Sequence, residues 1–79
     1  MKQIFFSLFL LVFFELSHAQ EARDYLISGI RKSIGKEYKA AIKELKKAID
    51  EDPDLADAYY ELGKVYSKVG NNKKAAENF

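Results

Sequence analysis

The chain has no cysteine, one histidine, one proline and four glycines in 79 residues. Without cysteine, no disulfide can staple a small fold, and neither thiol chemistry nor a thiolate metal site is available. The one histidine is His18, and it falls in a segment expected to be removed. Ser28, Ser33 and Ser67 then have no base beside them, so a serine–histidine mechanism has no parts. Charge of one sign is also missing. Thirteen Lys and Arg stand against twelve Asp and Glu, for a net charge of +1. That balance gives no electrostatic case for nucleic acid or an anionic membrane as the main partner. The absences point away from catalysis, and neither a cofactor nor a metal is expected.

What is present begins with an apolar run, Ile4 to Phe14, preceded by Lys2 and followed by Ser17-His18-Ala19. A positive start, an apolar stretch and small residues at Ser17 and Ala19 describe a secretory signal peptide over residues 1–19, with cleavage expected between Ala19 and Gln20. The run falls short of the ~20 apolar residues that span a bilayer as a helix. Membrane attachment is therefore expected only if the segment is retained. The expected location is exported, either periplasmic or extracellular. Five of the six phenylalanines leave with this segment, and the remaining small domain has little core of its own.

From Gln20 onward the apolar residues recur at helical spacing. Tyr25, Leu26, Ile27, Gly29, Ile30 and Ile34 predict a first helix ending near Gly35, with Glu21 and Asp24 in its first turn and Arg31, Lys32 and Lys36 near its end, as the helix dipole favours. A second helix starts about Glu37. Tyr38, Ala41, Ile42, Leu45, Ala48 and Ile49 form its apolar face, and Lys39, Lys43, Glu44, Lys46 and Lys47 its wet face. Asp50-Glu51-Asp52-Pro53 stops it, and the run through Asp54 reads as a helix stop followed by an N-cap for the next helix. A third helix is predicted over about Asp54 to Val69, then a turn at Gly70-Asn71-Asn72, and a fourth helix from Asn72 or Lys73. Short turns make such helices antiparallel neighbours.

Shifted by 34 residues, the chain overlays on itself. Tyr25 lands on Tyr59, Gly29 on Gly63, Ala41 on Ala75 and Leu45 on Phe79. Glycine at 29 and 63 lets the two helices of each hairpin approach closely, and Tyr25, Tyr59 and Tyr66 fill the gaps between them.

The pattern resembles the tetratricopeptide repeat family, a 34-residue helix–turn–helix unit. From Ala56, the second unit supplies Tyr59, Leu62, Gly63, Tyr66, Ala75 and Phe79. From Ala22, the first supplies Tyr25, Gly29, Ala41, Leu45, Ala48 and Pro53, but carries Ser28 and Lys32 where leucine and tyrosine are usual. It also meets its turn one residue early, with Gly35 at position 14 against Gly70 at position 15. The resemblance implies an all-α fold of tandem antiparallel helix–turn–helix hairpins, an α-solenoid of about two repeats over residues 22–55 and 56–79, the second truncated. The chain reads as a piece of a longer array, with self-association through the incomplete C-terminal repeat as the rival expectation.

The resemblance also implies a function. In that family the first helices of successive hairpins line a groove for a protein or peptide. Carried over by repeat position, the groove residues are Arg23, Leu26, Ile27, Ile30, Ser33 and Ile34 in the first unit and Asp57, Tyr60, Glu61, Lys64, Ser67 and Lys68 in the second. The apolar members fit cover against a neighbouring helix equally well. The lysine and asparagine clamp that some members use on a chaperone tail is absent, because its positions hold Leu26, Ile30 and Glu61. The implied activity is an exported, non-enzymatic scaffold for a protein or peptide of unknown identity. The alternative is an accessory repeat region of a larger exported enzyme or transport-associated protein.

Three constellations admit bland readings. Asp50, Asp52, Asp54 and Glu61 have the spacing of a calcium-binding loop, but Leu55 stands where that loop needs glycine. Glu44 and Glu61 could be imagined as a carboxylate pair, yet each fits a solvated helix face. The lysines at 36, 39, 43, 46 and 47 fit the wet side of an amphipathic helix.

Overall fold

The computed structural model describes residues 2–71, 74, 77 and 78, with side chains from Ser17 onward among these. Three helices follow in order: α1 (Lys2–Ile34), α2 (Tyr38–Glu51) and α3 (Ala56–Lys68). After the next turn, Lys74, Glu77 and Asn78 are again helical, while Ala75 and Phe79 lie outside the described residues. No strand occurs among the described residues. Among the described residues the fold is all-α, built of antiparallel helical hairpins like those of tetratricopeptide repeats.

The helices form where the apolar periodicity predicts them, and the buried positions show why. On α1, Ala22, Leu26, Gly29 and Ser33 are buried. They are spaced three or four apart and line one stripe. On α2 the buried residues are Ala41, Leu45 and Ala48, and on α3 they are Ala58, Leu62, Gly63, Val65 and Tyr66. Leu26, Ala41, Leu45, Ala48, Ala58, Leu62, Val65 and Tyr66 make one core. Tyr25, Ile30, Tyr38, Ile42, Ile49 and Leu55 pack around it, half-buried. Leu45 and Val65 are its largest fully enclosed side chains. Burying each one contributes about 1.5–3 kcal/mol.

Close approach of α1 and α2 depends on Gly29. A Cβ placed there would stand 2.7 Å from both Cγ and Cδ2 of Leu45 and 3.4 Å from the Ala41 carbonyl oxygen. The small residue on α1 thus receives the large one on α2, which is the physical content of the Gly29 and Leu45 positions in the repeat.

The structure corrects the sequence reading in four places. First, α1 does not start near Gln20. It runs unbroken from Lys2 to Ile34, so the expected cleavage position lies within a continuous helix.

Second, the α1 turn does not come early. Lys36 N–H donates to the Ser33 carbonyl at 3.0 Å, and Glu37 N–H donates to the Lys32 carbonyl at 2.8 Å. That bond pair is a Schellman motif, whose residue of positive φ is here Lys36, at φ 62°. The second unit closes in the same way. Gly70 N–H reaches the Ser67 carbonyl, Asn71 N–H reaches the Tyr66 carbonyl, and Gly70 has φ 84°. Gly35 precedes the left-handed residue, and the 34-residue register holds through the turn.

Third, α3 begins at Ala56 rather than Asp54. Fourth, its N-cap is Leu55, with no side-chain hydrogen bond to the helix. Pro53 restricts the residue before it to extended backbone, and Asp52 has φ −141° and ψ 92°. In that conformation Asp52 Oδ1 accepts the Asp54 N–H at 3.1 Å, so the carboxylate caps its own turn instead of the helix. Tyr59 ties α3 to this junction, its hydroxyl donating to the Pro53 carbonyl at 2.8 Å.

Candidate functional site

The groove positions divide into an exposed stripe and a buried pair. On α1, Arg23, Ile27, Ile30 and Ile34 share one face, offset from the buried stripe of Ala22, Leu26, Gly29 and Ser33 by helical spacing. Ile27 is 48% exposed and Ile34 77% exposed, whereas Ile30 is half-buried against the core. Leu26 is only 8% exposed and belongs to the core, and Ser33 is buried as well. Both positions lie too close to the packed seam to meet a ligand. Leu26 is therefore corrected from groove contact to core, the cover reading that its apolar character also allowed.

On α3, Asp57, Tyr60, Glu61, Lys64 and Lys68 also share one face, and Tyr60 is 55% exposed. Lys64 is held in place there. Its Nζ lies 3.5 Å from Glu61 Oε2 and 5.4 Å from the centre of the Tyr60 ring. Cation, carboxylate and aromatic ring form one group, so the middle of this face carries little net charge. Asp57 and Lys68 are exposed near the beginning and end of α3, and Ser67 is exposed beside Lys68. The two faces differ in chemistry: α1 offers an aliphatic ladder with Arg23 at one end, and α3 a polar surface with one aromatic ring.

Other interactions hold the frame. Lys47 Nζ lies 5.6 Å from the Tyr25 ring centre and 3.8 Å from Glu44 Oε1. Lys74 Nζ lies 5.4 Å from the ring centre of the buried Tyr66. Each lysine covers an aromatic residue at the edge of the core with its aliphatic stem and ammonium group.

One cluster escaped the sequence reading. His18 Nδ1 lies 3.0 Å from Glu51 Oε2, joining α1 to the last residue of α2. With Glu21, these residues bring ligand atoms within 4.8 Å of one another. Nothing in the sequence spacing signals the pair, because 33 residues separate its members and His18 falls in the expected leader. The calcium-like series does not assemble. Asp52 accepts the Asp54 amide, and Glu61 is paired with Lys64. Among the described residues, no helix is long and apolar enough to cross a membrane.

No curated protein and no solved structure matches the chain. A family model described as TPR repeat matches residues 34–70, from the end of α1 through α2 and α3 to the glycine of the second turn. Over that stretch the chain is similar to the tetratricopeptide repeat family, in agreement with hairpins that repeat every 34 residues down to the left-handed residue of each turn.

Proposed function

We propose that the protein is a non-enzymatic scaffold that binds a peptide segment of a partner protein across the paired faces of α1 and α3. Repeats of the matched kind generally mediate protein–protein interactions, and the face described above supports that reading here. The observation that carries it is the aliphatic ladder on α1. Ile27 and Ile34 remain largely exposed although the adjacent stripe of the same helix is packed into the core. Apolar side chains aligned at i, i+3 and i+7 offer an amphipathic or extended segment a row of contacts. Tyr60 supplies an aromatic anchor on the facing helix, of the kind that concentrates binding energy.

The test is a peptide-display selection against the protein, followed by affinity measurement on variants. Peptides selected on the native chain should lose at least about tenfold in affinity for Ile27→Ser/Ile34→Ser and keep it for Lys46→Ala on the far side of α2. Equal affinity for both variants contradicts the proposal.

We further propose that the scaffold acts after export, with residues 1–19 serving as the leader. The charged start, the apolar run and the small residues at Ser17 and Ala19 support this. Cleavage after Ala19 removes His18 and leaves Glu51 without that partner. N-terminal sequencing of the protein recovered from its native compartment should begin at Gln20, and a sequence beginning at Met1 contradicts it.

A further inference from the structure

The hairpins carry their charges sorted by end. Because α1 and α2 are antiparallel, the C-terminal end of α1 and the N-terminal end of α2 lie together, and α3, antiparallel to α2, brings its own C-terminus to the same end. There stand Arg31, Lys36, Lys39 and Lys68, all exposed, with Lys32 half-buried among them. Glu37 is the one carboxylate there among the described residues. None of these five cations has an ion-pair partner among the described residues. The opposite end gathers Asp24, Asp50, Asp52, Asp54 and Asp57, together with two bases, Arg23 and Lys47, the latter over the Tyr25 ring.

Helix dipoles account for part of this sorting and not for the rest. The bases near the ends of α1 and α3 and Asp57 at the start of α3 follow the dipole, whereas Asp24 lies in the interior of α1, which has no acid in its first turn. On α2 the pattern runs against it. Lys39 sits in the first turn, Asp50 and Glu51 close the last, and apart from the N-cap Glu37 α2 has no acid in its first turn and no base in its last. A helix selected only for its own stability would carry the reverse arrangement. The charge on α2 instead matches the end of the molecule on which it stands. With a net charge of only +1, the sorting is not a by-product of an overall basic chain.

We propose that the basic end formed by Arg31, Lys32, Lys36, Lys39 and Lys68 is a second docking surface, which takes an acidic segment of a protein partner. Charge complementarity defines the occupant: unpaired ammonium and guanidinium groups at the ends of three helices fit a run of Asp and Glu side chains. An acidic protein segment is favoured over a lipid surface because the apolar run Ile4–Phe14 is the N-terminal part of α1, beyond Asp24 and away from the basic end. Tethering through that run would hold the basic end away from the bilayer. The surface adjoins the groove at Lys68, which stands on both, whereas Arg31, Lys32, Lys36 and Lys39 lie outside the groove positions, so variants at these four test the basic end apart from the groove proposed above.

Isothermal titration of the full chain with a decaglutamate peptide tests this. Binding is expected at ~50 mM salt and should weaken by about tenfold or more at ~200 mM, because exposed charges are screened. Lys32→Gln/Lys36→Gln/Lys39→Gln should abolish it. Lys43→Gln/Lys46→Gln/Lys47→Gln, which removes the same charge from elsewhere on α2, should retain it, as should Ile27→Ser in the groove. Arg31→Gln/Lys39→Gln, which leaves the α1 turn untouched, gives the same test if the first triple variant loses its helical circular dichroism. Absence of binding at low salt, or equal loss in the two triple variants, overturns the proposal. It is also overturned by binding to phosphatidylglycerol vesicles without binding to the peptide. A salt-sensitive dimer abolished by Lys32→Gln/Lys36→Gln/Lys39→Gln would make the occupant a second copy and overturn it as well.

Discussion

Lys36 and Gly70 stand 34 residues apart and occupy the same place in their turns, each the left-handed residue that closes a Schellman motif, at φ 62° and 84°. One is a glycine, at ease there, and the other a lysine whose Cβ crowds the backbone. Replacing Lys36 by glycine should therefore stabilise the fold by roughly 0.5–1 kcal/mol, the relief of the left-handed strain exceeding the added freedom of the unfolded chain. Gly70→Ala should destabilise by about the same amount. Thermal unfolding followed by circular dichroism reads both, and opposite signs for the two variants are the expected outcome.

Gly29 and Leu45 are the tightest contact between α1 and α2 identified above. Gly29→Ala should cost about 1–3 kcal/mol, because the new methyl group meets the Leu45 branch and the alternative is to push the helices apart. Trimming the partner should recover part of that loss. Gly29→Ala/Leu45→Val is expected to be less destabilised than the sum of its single variants, and a denaturant-melt double-mutant cycle gives the coupling. Additivity would mean that the two side chains do not meet.

Leu45 and Val65 test the core itself. Both are fully buried, and a domain this small has few such residues. Leu45→Ala should cost about 2–5 kcal/mol, enough to abolish most of the cooperative unfolding of a small domain. Ile34→Ala, on a side chain 77% exposed, should change stability by about 0.5 kcal/mol or less. The contrast separates core from candidate binding face by the same measurement.

Tyr59 anchors α3 to the junction through its hydroxyl and the Pro53 carbonyl. Tyr59→Phe removes one exposed hydrogen bond and should cost about 0.5–1 kcal/mol, at the lower end for such bonds. Amide exchange at Leu55 and Ala58, whose N–H groups close the turn and open the helix, should accelerate in the variant.

Helix placement was legible because it rests on apolar periodicity, and Ala41, Leu45, Ala48, Leu62 and Tyr66 fall inside as that periodicity requires. The tight turn after α1 was misread for a local reason. Gly35 attracts the left-handed assignment by its residue type, yet hydrogen bonding places that conformation one residue later, on Lys36. The cap of α3 was misplaced because Asp52 and Asp54 both suit it, and the proline between them decides which backbone can turn. For the candidate site, repeat position picks out Ile27, Ile30 and Ile34, of which Ile27 and Ile34 are exposed and Ile30 is half-buried, and it does not separate them from Leu26 and Ser33, which are buried. The His18–Glu51 pair depends on tertiary contact across 33 residues, which no local pattern encodes, and the same holds for the sorting of charge by end.

The central claim is that one face, shared by α1 and α3, receives a peptide. Backbone amide chemical-shift mapping with a display-selected peptide tests it most directly. The account predicts shifts concentrated at Arg23, Ile27, Ile30 and Ile34 and at Asp57, Tyr60, Lys64 and Lys68, with Lys39, Lys43 and Lys46 unmoved. Shifts concentrated on the outer face of α2, with Ile27 and Tyr60 unchanged, would contradict it.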